Sequence, residues 1–405
     1  MVRKNPEGNW WHSGTMILQS IISSALLLLV VAVNACADES TKSNLHRVTF
    51  TDAKSVTRTV EARVLIEAQD GGLLLEARDG RLWNVTPKQL PQNELTDEPF
   101  NPLDADALGK QLQHELLDLG VQTPTRIVTT KHYVICSTAG RKYAEWVGAL
   151  FERLHDSFQS FWKKEGLELR EPEFPLPAIV LKDQAEFAEL ATKHDSPEAA
   201  RSEGYFSIPT NRIVMFDLTA GPNSKPAKTP LDIQRKIAAS PFNVATVIHE
   251  ATHQIAFNSG MHTRYADNPM WLTEGMAMFF EVPDLDSRSG WKTIGRVNSL
   301  RLQHFRESLR QMRPADSWAT LIRADDRFLN AEQSRAAYAD SWALTYFLIK
   351  LRRDDYIAYL TRIARKPRLV ADTPDDRLRD FAETFGNDFD VLDRELRAWL
   401  PRPTK

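Results

Sequence analysis

Residues 244–257 read VATVIHEATHQIAF. Val244, Val247, Ile248, Ala251 and Ile255 recur at helical spacing with no proline between them, which predicts an amphipathic helix. Inside it, His249-Glu250-Ala251-Thr252-His253 is an H-E-x-x-H sequence. Residues four apart lie on one helix face one turn apart, so both imidazoles can reach one metal ion. Glu250 follows His249 directly, near enough to serve a water at that metal without being a ligand itself.

Catalytic zinc takes three protein ligands and leaves a fourth position open. The third ligand does not lie at metzincin spacing: Ala256 and Ser259 stand where a glycine and a histidine would be needed, and His262 fits no such register. About twenty residues beyond His253 comes WLTEGMAMFFE, Trp271–Glu281. This is an apolar helix pattern with one acid, Glu274, in its first turn. A carboxylate on a second helix facing the first completes a His₂Glu set. The plainer reading is a polar cluster in a helical core, but four such groups on apolar helices are costly to bury without a cation.

The pair of motifs is similar to the arrangement in gluzincin peptidases of the aminopeptidase-N-like and peptidase-MA-like families. The stretch from about Val128 to Leu351 resembles a bacterial secreted branch of the peptidase-MA-like proteins. HYVICSTAG (His132–Gly140), GYFSIPTNRIVMFD (Gly204–Asp217), the two zinc motifs and YADSWALTYFL (Tyr338–Leu348) carry the likeness. The resemblance implies one Zn²⁺ per chain held by His249, His253 and Glu274, with Glu250 as general base. It also implies a fold with an α/β N-terminal half and an all-helical C-terminal half. The G-x-M-E-N segment that anchors a free amine in aminopeptidases has no counterpart in Gly204–Asp217, so endopeptidase action is expected rather than trimming of N-termini.

Tyr338 opens the helix downstream and matches the tyrosine that donates to the oxyanion in relatives. It shares a helical face with Trp342, Thr345 and Ile349, so core packing explains it equally well. Glu281, two turns beyond Glu274, either orients a ligand or caps and pairs at the surface.

Outward from this centre, the 405-residue chain is 42% hydrophobic and 26% charged with a net charge of −3. That balance excludes a disordered, collagen-like or multi-span membrane protein, and offers no basic footprint for nucleic acid. No P-loop and no G-x-G-x-x-G is present, which leaves nucleotide chemistry without support. Arg3 and Lys4, an apolar run over Met16–Val33 and the small residues around Ala35 and Cys36 read as an export segment over 1–35. Cleavage, lipidation at Cys36 and an uncleaved helical anchor all remain open, and all place the body outside the cytoplasm, with membrane contact only through that N-terminus. Cys136 is then a lone thiol in an apolar setting and reads as a small core residue.

Residues 46–90 alternate in the manner of half-buried strands, with turn signals at Asp70-Gly71-Gly72 and Asp79-Gly80. Val60–Ala68, Asp70–Arg81 and Pro87–Leu90 resemble the small SH3-like barrel called the Sla-one homology domain, which implies a binding or packing module and no chemistry; a protein or wall polymer is the ligand expected if it binds. Residues 91–106 are expected to be a linker. The fold expected overall is α+β: a small SH3-like barrel at 46–90, an α/β half over 107–230 with a hairpin around Pro209-Thr210-Asn211 whose edge could take an extended peptide, and a helical zinc-binding half over 241–400. The function expected is a secreted zinc metallopeptidase acting on a peptide or protein. The alternatives are an inactive zinc-binding scaffold for an extracytoplasmic protein or wall polymer, and a hydrolase of a non-peptide amide.

Overall fold

A computed structural model describes residues 44–400 apart from 53–54, 90, 198, 219–228, 240, 283–292 and 312; the expected export segment lies outside the described residues. No helix among those described is long and apolar enough to cross a membrane. The architecture is mixed α and β, with two sheets toward the N-terminus and helices toward the C-terminus. Two compact units emerge: residues 1–144 with 173–217, and residues 145–172 with 218–405.

The first unit begins with strands β1 (Asn44–Thr51), β2 (Thr57–Glu67), β3 (Leu73–Ala77), β4 (Leu82–Val85) and β5 (Gln92–Pro99). They form one sheet in the order β4-β3-β2-β1-β5, with every neighbouring pair antiparallel. Val48, Phe50, Ala62, Leu73, Leu75 and Val85 make its core, with Val60, Val64 and Trp83 packed against it. Both expected hairpin turns are present. The Asp70 and Asp79 carboxylates each accept the backbone N–H two residues on, and Gly71 and Gly80 take the positive φ that the turns require.

Two expectations fail here. The sheet is open rather than a closed SH3-like barrel, because its outer strands β4 and β5 do not pair. The stretch 91–106 is not simply a linker: Gln92–Pro99 pairs with β1. Its composition conceals this, since QNELTDEP has no buried residue; it joins the sheet through its backbone ladder with β1, with Thr96 Oγ1 donating to the Leu45 carbonyl at 2.8 Å and His46 Nδ1 2.8 Å from Asn93 Oδ1.

The second sheet comprises β6 (Arg126–Thr129), β7 (Tyr133–Ser137), β8 (Leu176–Leu181), β9 (Gly204–Ser207) and β10 (Arg212–Phe216), in the order β6-β7-β8-β10-β9. The β7–β8 and β8–β10 pairs are parallel. The apolar runs of β7, β8 and β10 are buried throughout, as parallel strands covered on both faces require. The expected hairpin is β9–β10; Asn211 takes φ +61° in its turn, and β9 forms one edge of the sheet. Helix α1 (Ala105–Asp118) is N-capped by Asp104, and α3 (Gln184–His194) by Asp183. Cys136 sits in β7, where burial pushes its thiol up to about 12 and keeps it unreactive.

Helix α2 (Arg141–Glu165) runs into the second unit. There follow α4 (Pro230–Ala239), α5 (Pro241–Asn258), α6 (Met270–Phe280), α7 (Ser299–Arg310), α8 (Ser317–Arg323), α9 (Asp326–Leu329), α10 (Ser334–Leu351), α11 (Arg353–Ala364), α12 (Pro374–Phe385) and α13 (Phe389–Trp399). Helix α6 is buried along its whole length, the mark of a helix that is apolar all round. Phe158 and Phe161 of α2 pack on Phe280, with ring centroids 4.8 and 5.5 Å apart. On another side α6 meets α10 so closely that a Cβ on Gly275 would strike the Thr345 side chain and lie 2.7 Å from the Ser341 carbonyl oxygen. Glycine after Glu274 is therefore a packing requirement. Helices α12 and α13 are separated at Gly386, which takes φ +89°.

Candidate metal centre

Helices α5 and α6 bring the two motifs together. The N-terminus of α6 is fixed from outside: Asp325 accepts from the Met270 backbone N–H at 3.0 Å, and Arg377 clamps both Asp325 and Asp267. One turn in, Glu274 is fully buried and faces His249 and His253 of α5. His249 Nε2 lies 3.0 Å from Glu274 Oε2 and 3.1 Å from His253 Nε2, and His253 Nε2 lies 3.5 Å from Glu274 Oε1.

These distances test whether a metal fits. Bonds of about 2.05 Å to a tetrahedral zinc place neighbouring donors ~3.3 Å apart, and the three spacings bracket that value. Chemistry points the same way. Glu281 Oε2 lies 3.1 Å from His249 Nδ1, so Nδ1–H donates to it and Nε2 is the nitrogen that faces the cluster, with its lone pair available to a metal once the ring is neutral. Two imidazole nitrogens and a carboxylate then converge on one point, a donor set suited to a cation. His249, His253 and Glu274 form a group able to hold one.

The electrostatics agree. Burial alone would lower the His249 pKa, but hydrogen bonds to Glu274 and Glu281 and the nearby Glu250 raise it to about 10. Burial would raise Glu274, yet His253 and His249 hold it down at about 2. Glu281 is held at about 2 against burial by Arg301 and His249. The pocket thus keeps its carboxylates ionised and demands positive charge from a proton or a metal.

The other expected residues lie close by. Glu250 is buried on the same turn as His249 and within electrostatic reach of both His249 and Tyr338. Tyr338 is on the α10 face that packs on Gly275. Its ring meets Phe328 edge-on at 5.2 Å, and its phenol is pushed well above the usual value by burial and by Glu274. It is therefore a neutral donor. Glu281 is buried and meets His249 Nδ1, the contact that the ligand-orienting reading requires, and does not lie at the surface. His262, buried near His253, is pushed down to about 3 by burial and is neutral; it stands outside the converging set. Sequence reasoning missed Asn298 and Arg301, whose side chains meet Glu281. Asn298 opens a helix as an N-cap should, but nothing in the sequence names its second partner.

Residues 243–370 match a family described as a protein of unknown function, DUF1570. The match covers less than half of the chain, yet it spans His249, Glu250, His253, Glu274, Glu281, Arg301 and Tyr338. No curated protein matches the chain significantly.

Proposed function

We propose that the chain is an exported zinc-dependent metallopeptidase of gluzincin type that cleaves within a peptide or protein. One observation carries the reading: three buried donors, His249, His253 and Glu274, converge at zinc-like spacing with an acid, Glu250, on the same helical turn. Zinc bound there supplies Lewis acidity and lowers the pKa of its water toward ~7.

The chain's own residues supply the rest. Glu250 accepts the proton of the attacking water and passes it to the leaving amine, the work of a general base and then a general acid. Glu281 holds His249 in the tautomer that faces the metal. Tyr338, neutral and buried, donates to the oxygen on which charge develops, a bond that strengthens in the transition state. Glu250 favours an enzyme over a scaffold, since zinc binding alone has no use for an acid beside the ligands.

The direct test is digestion of a mixed peptide library by the full chain with and without chelator. Internal cleavage that stops with chelator and returns with zinc is expected. Stoichiometric zinc without cleavage of any peptide would leave the scaffold instead.

Tyr338 admits a sharper measurement. Tyr338→Phe should lower kcat and kcat/KM together by roughly ten- to a thousandfold, with zinc content and melting temperature nearly unchanged. A packing role gives the reverse: Phe silent in rate, and Tyr338→Ala destabilising by about 3–5 kcal/mol through the cavity left behind.

A further inference from the structure

We propose that Arg301 is a positioning residue for the metal centre, acting through Glu281 on the ligand His249. The inference rests on the zinc reading of the site. The first turn of α7 is arranged around a single carboxylate. Glu281 directly follows α6, and its oxygens are divided between two sides. Oε2 meets His249 Nδ1 at 3.1 Å. Oε1 accepts from Asn298 Nδ2 at 2.9 Å and from Arg301 Nε at 3.2 Å, while Arg301 Nη2 lies 3.4 Å from Oε2. All four residues are buried. Asn298 works at both ends of its amide: Oδ1 accepts the Arg301 backbone N–H at 3.1 Å and caps α7, while Nδ2 holds Glu281. The positive end of the α7 dipole lies at the same carboxylate.

A planar guanidinium against a carboxylate fixes its rotation as well as its charge. Glu281 has three rotatable side-chain bonds, and without the fork its Oε2 need not stay on the His249 ring. Held as it is, it accepts a hydrogen bond from Nδ1–H, selects the tautomer whose Nε2 lone pair faces Glu274 and His253, and makes that nitrogen a better ligand. Arg301 also lies with its Cζ 5.8 Å over the Tyr338 ring, so one cation borders both the ligand-orienting carboxylate and the candidate oxyanion donor. A merely structural ion pair would affect folding and leave the zinc affinity of the folded protein alone.

The experiment measures zinc affinity of the full chain by chelator competition, with melting curves alongside, for Arg301→Gln, Glu281→Gln, the double variant and Asn298→Ser. Arg301→Gln should weaken zinc about tenfold and Glu281→Gln about 10–100-fold. The double variant should be no weaker than Glu281→Gln alone, because Arg301 then has nothing to act through. Serine still caps α7 but cannot reach Glu281, so Asn298→Ser should weaken zinc several-fold with little change in melting. The visible spectrum of cobalt-loaded Arg301→Gln should shift from that of the wild type. If Arg301→Gln does not fold, Arg301→Lys, which keeps the charge without the fork, and Asn298→Ser serve in its place. Wild-type zinc affinity in the folded variants, or the same loss from Arg301→Gln in the Glu281→Gln background, overturns the proposal. A wild-type chain that binds no zinc overturns the underlying reading as well.

Discussion

Glu250→Gln should keep the fold and the zinc and lose peptide hydrolysis by about 10²–10⁴-fold, the range a positioned general base contributes. Gln is nearly the same size as Glu, so the buried space beside His249 stays filled and melting should change little. What disappears is the capacity to accept a proton, since an amide oxygen is too weak a base at neutral pH. Because the acid acts in the chemical step, the loss should fall on kcat and kcat/KM alike, with substrate binding nearly intact. The measurement is steady-state cleavage of a peptide found in the library digest, with zinc counted by elemental analysis on the same sample. Cleavage at the wild-type rate would remove Glu250 from the mechanism.

The second large effect concerns the metal. A His249→Ala/His253→Ala chain should carry no zinc above background, and Glu274→Ala should bind it at least tenfold more weakly, because two imidazoles alone leave half of a tetrahedral sphere unfilled. Stability should follow by mass action. At free zinc a thousandfold above the dissociation constant, ligand binding stabilises the wild type by about 4 kcal/mol, and the double variant should gain none of this. Melting curves with and without added zinc read the difference. Full zinc occupancy in the double variant would place the metal elsewhere.

The centre was legible because its signals are local. His249 and His253 are four apart on a helix whose apolar stripe is unbroken, and Glu274 is the one acid of a helix that is otherwise nearly all apolar. Periodicity alone places such groups on defined faces. The hairpin β9–β10 was legible from its turn residues, Pro209-Thr210-Asn211. Misreadings arose where pairing has no side-chain signature. β5 is mostly polar and pairs with β1 without burying a side chain, so its composition resembles a linker. Barrel closure depends on whether two edge strands meet, which no strand announces on its own.

The sequence by itself therefore determined the residue types and helix faces of the candidate centre: H-E-x-x-H on α5, Glu274 one turn into α6, and a glycine after it. Only the tertiary structure decided that these faces meet, because convergence depends on how α5 and α6 pack and on Asp325 and Arg377 fixing the start of α6. The outer residues show the same division more strongly. Asn298 and Arg301 lie 17 and 20 positions from Glu281, across a connection with no regular spacing. Their partnership exists because α7 starts where α6 ends in space, and contacts made by packing leave no period in the chain.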